Sequence, residues 1–312
     1  MSSPFDSFAE QSRHLNRRTF LTLSAGLTAS GFLAACGGSS QPSTGSWGTI
    51  PNITTTGDLQ IAKRFPEDAL VPGVNRLPIS LADTTGLLAD NATNNLPDTL
   101  TASVIDISTN AVIVESVIAK KHGKNLATSY YPFLVTLEKS GIYVLKLNAK
   151  NAPDVTFQIH KRSDVFMPVI GEALPGFDTP TIKNNRGVNP ICTRTSGTCP
   201  FHQMTVTEAL QSGKPLVYLI GTPAFCKTGT CSPALEGVID IGIALGDTVN
   251  FVHAEVYADK TATEIAPAVK AYNLSYEPVL YITDNKGILR HRLDAIFDVD
   301  EVRSVLAAVG IN

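Results

Sequence analysis

Residues 215–241 read PLVYLIGTPAFCKTGTCSPALEGVIDI. The run from Leu216 to Ile220 is apolar without interruption and of strand length, Gly221 and Pro223 break it, and Ser232-Pro233 opens a helical pattern. The order predicts a buried strand, a loop and a helix, with Cys226 and Cys231 both on the loop. Four residues, Lys227-Thr228-Gly229-Thr230, separate the two cysteines. Five positions along a regular helix rotate by about 500°, roughly 140° beyond one turn, so the two sulfurs cannot meet across a helix. Gly229, which tolerates positive φ, allows the loop to turn back. Ser232 as N-cap and Pro233 in the first turn place the helix start just after Cys231.

The pattern continues outward from this stretch. A short helix is expected at 206–211, the strand at 215–221 and the helix at 233–245. A strand at 249–257, a helix at 264–272, strands at 279–284 and 288–293 joined by Asp284-Asn285-Lys286-Gly287, and a helix at 300–308 follow. Strand–helix–strand predicts a parallel unit, and strand–turn–strand–helix an antiparallel hairpin covered by a helix.

PLVYLIGTPAFCKTGTC resembles the strand-into-active-site segment of the thioredoxin superfamily, in particular the envelope thioredoxins tethered outside bacterial membranes. EPVLYITDNKGIL (277–289) is similar to that family's second signature, a proline followed by an apolar strand and an Asp/Gly hairpin turn. The resemblance covers roughly 199–312. It implies a thioredoxin-like α/β domain, a redox pair Cys226/Cys231, and a cis peptide before Pro278 that packs beside the cysteines. The sequence departs from the family in the long cysteine spacing, in Phe225 where Trp is commoner, and in Glu277 before the proline. By family analogy Cys226 attacks and Cys231 resolves; by proximity to the helix N-terminus Cys231 is the more acidic thiol.

The region 58–162 has a different period. Seven short strands are expected at 59–65, 76–83, 100–108, 111–118, 132–138, 142–149 and 155–161, several with clear alternation and with Gly, Pro, Asn and Asp between them. This predicts a β-sandwich, and Gly141-Ile142-Tyr143 resembles the corner strand of immunoglobulin-like domains. His122 and His160 read as solvated histidines. Residues 163–191, rich in Pro and Gly without sustained period, read as a linker to a second domain at 192–312.

The N-terminus reads as a targeting segment. Arg17-Arg18-Thr19-Phe20-Leu21 resembles a twin-arginine export signal, and Leu33-Ala34-Ala35-Cys36 resembles a lipobox, which implies lipid attachment at Cys36 and a signal peptide over 1–36. The apolar stretch 20–35 is too short to span a bilayer of about 30 Å. Residues 37–57 begin as a Gly/Ser/Pro tether. Export and anchoring to the outer face of the cytoplasmic membrane follow as expectations. Of five cysteines, four then remain in an oxidising compartment. The short spacings favour pairing Cys226 with Cys231, and Cys192 with Cys199 as a structural disulfide.

A net charge of −3 with 17% charged residues provides no basic field for nucleic acid. The leading expectation is thiol–disulfide exchange with exported proteins and an electron donor or acceptor, with no cofactor. A redox-inactive binding module stapled by disulfides is the alternative. Thr228-Gly229-Thr230-Cys231 also resembles the Thr-x-x-Cys of peroxiredoxins, for which Arg290 or Arg292 would orient peroxide. Copper delivery through Cys226, Cys231 and one of His202, His253 or His291 is a further alternative, although His253, inside NFVHAEVY, reads first as a strand residue. Neither cysteine pair has zinc-knuckle spacing, so no zinc site is expected from the four cysteines.

Overall fold

The computed structural model describes Ile53, 58–91 and 94–312. The expected signal segment 1–36, the lipid site Cys36 and, apart from Ile53, the tether 37–57 lie outside the described residues. Gly48–Asn312 forms one compact unit. Among the described residues no helix is long and apolar enough to cross a membrane.

The described residues are β-rich and build three four-stranded sheets. Eight strands come first: β1 (Gln60–Lys63), β2 (Gly73–Asp83), β3 (Gly86–Leu87), β4 (Thr99–Asp106), β5 (Ala111–Lys120), β6 (Tyr131–Leu137), β7 (Gly141–Leu147) and β8 (Val155–Ile159). They make two antiparallel sheets, β1-β2-β3 with β6 on β2, and β5-β4-β7-β8. Strict alternation in β6, β7 and β8 buries Phe133, Val135, Tyr143, Leu145, Phe157 and Ile159, which join Leu77, Ile79 and Leu81 of β2 in one core. Period-2 burial of one face per sheet is what locks the two sheets together. Tyr143 donates its hydroxyl to the carbonyl of Lys139 at 2.9 Å.

The remaining elements are α1 (Val206–Gln211), β9 (Leu216–Ile220), α2 (Cys231–Leu245), β10 (Asn250–Ala254), α3 (Pro267–Ala271), β11 (Val279–Thr283), β12 (Leu289–Asp294) and α4 (Val299–Ala308). The third sheet has the order β10-β9-β11-β12, with β10 parallel to β9 and β11 antiparallel to both β9 and β12. All five residues of β9 and of β11 are buried because both faces of this sheet are covered. Val217, Leu219, Leu280 and Ile282 face a core shared with Leu235 and Val238 of α2 and Val302 and Leu306 of α4. Tyr218, Ile220, Tyr281 and Val252 face the opposite way, toward Val206 and Ala209 of α1 and Ala268 of α3. The turn after β11 is closed by Asp284, whose Oδ1 accepts from the amides of Lys286 and Ile288, with Gly287 at φ +75°.

The segment expected as a linker is pinned rather than free. Val165, Met167 and Val169 are buried. The Gly171 amide donates to Leu289, the Leu289 amide to Glu172, and the Leu174 amide to Gly287, at 2.8, 2.8 and 2.9 Å. The segment therefore covers the open edge of β12, which would otherwise present unpaired amides and carbonyls. Its lack of period reflects a path along a sheet edge rather than solvation.

Contacts between the β-rich half and α4 are polar and buried. Arg76 donates from Nε and Nη2 to the two carboxylate oxygens of Glu301 at 2.7 and 2.8 Å, and from Nη2 to the carbonyl of Ile296 at 2.6 Å. Tyr130 donates to Glu301 at 2.6 Å and accepts from the Asp298 amide at 2.8 Å. His122 is not the solvated residue its Lys/Gly-rich surroundings predict: its Nδ1 lies 2.9 Å from Asp298 Oδ1. Asp298 also caps α4 through the Glu301 amide and accepts from the amides of Gly123 and Lys124.

Candidate functional site

β9 ends at Ile220 and α2 starts at Cys231, so residues 221–230 form the loop. Thr230, not Ser232, is the residue before the helix, and it makes no side-chain cap because its hydroxyl is spent on the carbonyl of Ala295 at 3.0 Å. Gly229 adopts φ +68°, the turn that returns the chain toward the helix start. Cys226 is thereby carried in front of α2. Its sulfur accepts the Cys231 amide at 3.4 Å and lies 3.2 Å from Thr228 Oγ1 and 3.8 Å from Thr230 Oγ1.

This geometry reverses the electrostatic expectation for the two thiols. Amides at a helix N-terminus point out of the helix toward what precedes it. The sulfur that meets them is that of Cys226, whereas Cys231 turns inward and is only 1% exposed. A hydrogen bond from the Cys231 thiol, then the Thr228 hydroxyl and the amides of Cys231 and Thr230, outweigh burial and hold Cys226 down at about 4. The same hydrogen bond, burial and the Glu277 carboxylate push Cys231 far up.

Glu277 completes the site. Its Oε2 lies 3.5 Å from Cys231 Sγ, a second acceptor within reach of the same thiol hydrogen, and burial together with Cys226 pushes its carboxyl up to about 7. The Glu277–Pro278 peptide is cis, and β11 begins immediately after it. Pro278 packs against Gly221: a Cβ added at Gly221 would lie 3.3 Å from Pro278 Cβ and 3.5 Å from Cys231 Sγ. Arg64, 9% exposed and contributed by the β-rich half, feels the charge of Cys226. No sequence spacing connects Arg64 or Glu277 to the cysteines; only Glu277's departure from the pattern marked it.

No family model matches the chain, and no curated protein matches it.

The other expected residues fall elsewhere. Arg290 pairs with Asp284 at the surface, and Arg292 is buried with Asp294 and the carbonyl of Pro168. Neither faces the thiols. Cys226, Cys231 and Glu277 bring potential metal-ligand atoms within 4.8 Å of one another, without a histidine. His202 and His253 join the other pair: the ligand atoms of Cys192, Cys199, His202 and His253 all lie within 4.8 Å.

All four described cysteines are free thiols. The expected Cys192–Cys199 disulfide is thus not formed here. Cys199 Sγ is instead 3.5 Å from His253 Nδ1, and the Cys199 amide points at Cys192 Sγ at 3.4 Å. Two hydrogen bonds tie this group to the loop 221–230. His253 Nε2 donates to the carbonyl of Gly221 at 3.0 Å, and the Ala224 amide donates to Thr193 Oγ1 at 3.1 Å. Thr193 is held in turn by the buried carboxylate of Glu255, which accepts from its amide and hydroxyl at 2.6 and 2.9 Å.

Proposed function

We propose that the chain is a membrane-tethered, extracytoplasmic thiol–disulfide oxidoreductase of thioredoxin-like type, carrying an immunoglobulin-like domain ahead of its redox domain. The sheet order β10-β9-β11-β12, with one parallel pair and an antiparallel hairpin, supports the first part. The Tyr143 hydroxyl bound to the backbone four residues upstream supports the second. Export and lipid attachment rest on Arg17-Arg18 and Cys36 in the sequence.

The observation that carries the function is the asymmetry of the pair. Cys226 is partly exposed and held as thiolate by the Cys231 thiol, the Thr228 hydroxyl and the amides at the head of α2, while Cys231 is buried, protonated and within hydrogen-bond reach of a carboxyl of raised pKa. In the reducing direction, the Cys226 thiolate attacks one sulfur of a substrate disulfide. An S–S bond forms to Cys226, the substrate's bond breaks, and one substrate thiolate leaves. Cys231 then gives its proton to Glu277 and attacks Cys226 Sγ. The Cys226–Cys231 disulfide forms and the second substrate thiolate departs, so two electrons pass from the pair to the substrate. The reverse sequence oxidises a dithiol. Pro278, at the head of β11 beside Gly221 and Cys231, borders the place where the substrate strand lies.

Thiol-trapping mass spectrometry across a series of redox buffers tests this reading. A Cys226–Cys231 couple that equilibrates reversibly, with Cys231→Ser accumulating a mixed disulfide at Cys226, is the expected result. A pair that resists reduction below about −300 mV would make the disulfide a structural staple instead.

A further inference from the structure

We propose that Cys192, Cys199, His202 and His253 form a closed, tetrahedral Zn2+ site behind the redox loop. The four residues are 8%, 2%, 0% and 0% exposed. They come from two places in the chain: a Cys-x6-Cys-x2-His segment, and the penultimate residue of β10. The register of β10 on β9 pairs His253 with Leu219, which sets the imidazole beside that segment.

The two edges that meet at His253 Nδ1 match those of a small tetrahedron, and all four ligand atoms lie within 4.8 Å of one another. With Zn–N near 2.0–2.1 Å and Zn–S near 2.3 Å, tetrahedral angles require edges of about 3.3 Å between two nitrogens and about 3.6 Å between nitrogen and sulfur. His253 Nδ1 lies 3.2 Å from His202 Nε2 and 3.5 Å from Cys199 Sγ. The tautomer is set from outside, because His253 Nε2 donates to the Gly221 carbonyl and leaves the Nδ1 lone pair facing its neighbours. A ligating histidine whose other nitrogen is fixed by a backbone carbonyl is the usual outer arrangement of a zinc centre.

Charge selects among the soft cations that thiolate and imidazole favour. Two thiolates and two neutral imidazoles carry −2, which Zn2+ cancels and a monovalent ion does not. A neutral assembly is the one that buried surroundings tolerate. Four protein ligands leave no open position, so the metal's role is structural. It clamps residues 192–202 to β10, and through Gly221 and Thr193 it steadies both the start and the middle of the loop that presents Cys226. The sequence hid this site because its fourth ligand lies 51 residues beyond the third, inside an apolar run.

The test uses the full-length chain, purified reduced and without chelator. One Zn2+ per chain is expected by elemental analysis. Metal-free reduced protein given Co2+ is expected to show the intense visible bands of tetrahedral cobalt together with thiolate-to-cobalt charge transfer. Both signals persist in the Cys226→Ser/Cys231→Ser variant, and zinc is lost in His202→Ala. If that variant does not fold, the cobalt spectrum of the unaltered protein decides. A reduced chain that takes neither ion overturns the proposal. So does uptake of Cu+ alone, loss of cobalt in the Cys226/Cys231 variant, or a Cys192–Cys199 disulfide in protein alkylated as it is taken from cells.

Discussion

The carbonyl of Gly221 accepts the Nε2 hydrogen of His253 at 3.0 Å, so the buried Cys/His cluster and the loop carrying Cys226 share one backbone unit. The other side of Gly221 faces Cys231 and Pro278, where an added Cβ would press on Pro278 Cβ at 3.3 Å and touch Cys231 Sγ at an ordinary 3.5 Å. Relaxation away from Pro278 is opposed by the hydrogen bond to His253 and by the amide of Gly221, which donates to Ala254 at 3.1 Å. Gly221→Ala is expected to cost roughly 1–3 kcal/mol by overpacking, read as a lower urea midpoint. Pro278, which borders the cysteine pair, is the neighbour that must give, so the rate of intramolecular disulfide closure is expected to fall. Unchanged stability and closure would show that the loop is not pinned there.

Cys226 is expected to react as a thiolate well below neutral pH. Its alkylation by iodoacetamide should follow a single titration with a midpoint near 4, the value set by the Cys231 thiol, Thr228 and the helix amides. Thr228→Val removes one donor to a charged sulfur, which is worth about one unit, and the midpoint should rise by that amount. A wild-type midpoint in the ordinary thiol range of about 8–9 would remove the basis for Cys226 as nucleophile.

Much of this was legible in residues 215–241. An apolar run long enough for one strand, punctuated by Gly221 and Pro223, fixes strand, loop and helix by local physics, and Gly229 marks the turn that rescues the long spacing. The direction of acidification was not legible, because it depends on which sulfur the returning loop sets before the helix amides. Nor were Arg64 and the partnership of His253 with Cys192 and Cys199, which come from chain-distant packing and from the β9/β10 register. The Cys199-x2-His202 spacing and a histidine inside an apolar run were the available signals. In the β-rich half, short apolar runs between turn residues, several of them alternating, marked the strands from β1 through β8 except β3, whose two residues are too few to show a period.

Glu277 is expected to set the pH dependence of the resolving step. Its carboxyl must be ionised to accept the Cys231 proton, so closure of the mixed disulfide should accelerate as pH rises through a midpoint that burial holds above the ordinary carboxylate range; the Cys226 charge that lifts it further in the free pair is gone once Cys226 is in the mixed disulfide. Glu277→Gln removes the acceptor and should slow closure by about a hundredfold, at the low end of general-base contributions, while leaving Cys226 alkylation low in pH. Stopped-flow measurement of closure on a model disulfide separates the two steps. Closure that keeps the wild-type inflection in Glu277→Gln would assign the proton to another group.

The junction with α4 makes a stability prediction. Arg76 and Glu301 are 7% and 8% exposed in their side chains, so removing one leaves the other buried and unpaired. Arg76→Met should cost about 3–5 kcal/mol. Arg76→Met combined with Glu301→Gln should recover part of that loss, since the orphaned charge is gone while Tyr130 keeps an acceptor. Chemical denaturation of the three proteins measures the coupling, and simple additivity would mean the pair is not a unit.

His122 and Asp298 should place a pH window on that junction. Although burial alone would lower it, the hydrogen bond and charge of Asp298 raise His122 above its ordinary value. A raised histidine contributes stability that is fully present below its unfolded pKa of about 6.5 and is lost as pH climbs through the folded value. Asp298 is depressed: burial opposes this, but His122 and the amides of Gly123 and Glu301 outweigh it. Its contribution is present above about pH 4 and fades as the solution is acidified further. The difference in unfolding free energy between the wild type and His122→Gln should therefore be largest near pH 5–6, between the two ordinary values, and shrink toward pH 8. A difference that grows on the alkaline side would mean that neutral His122, through packing against Tyr130 at a ring separation of 5.4 Å, is what holds the halves together.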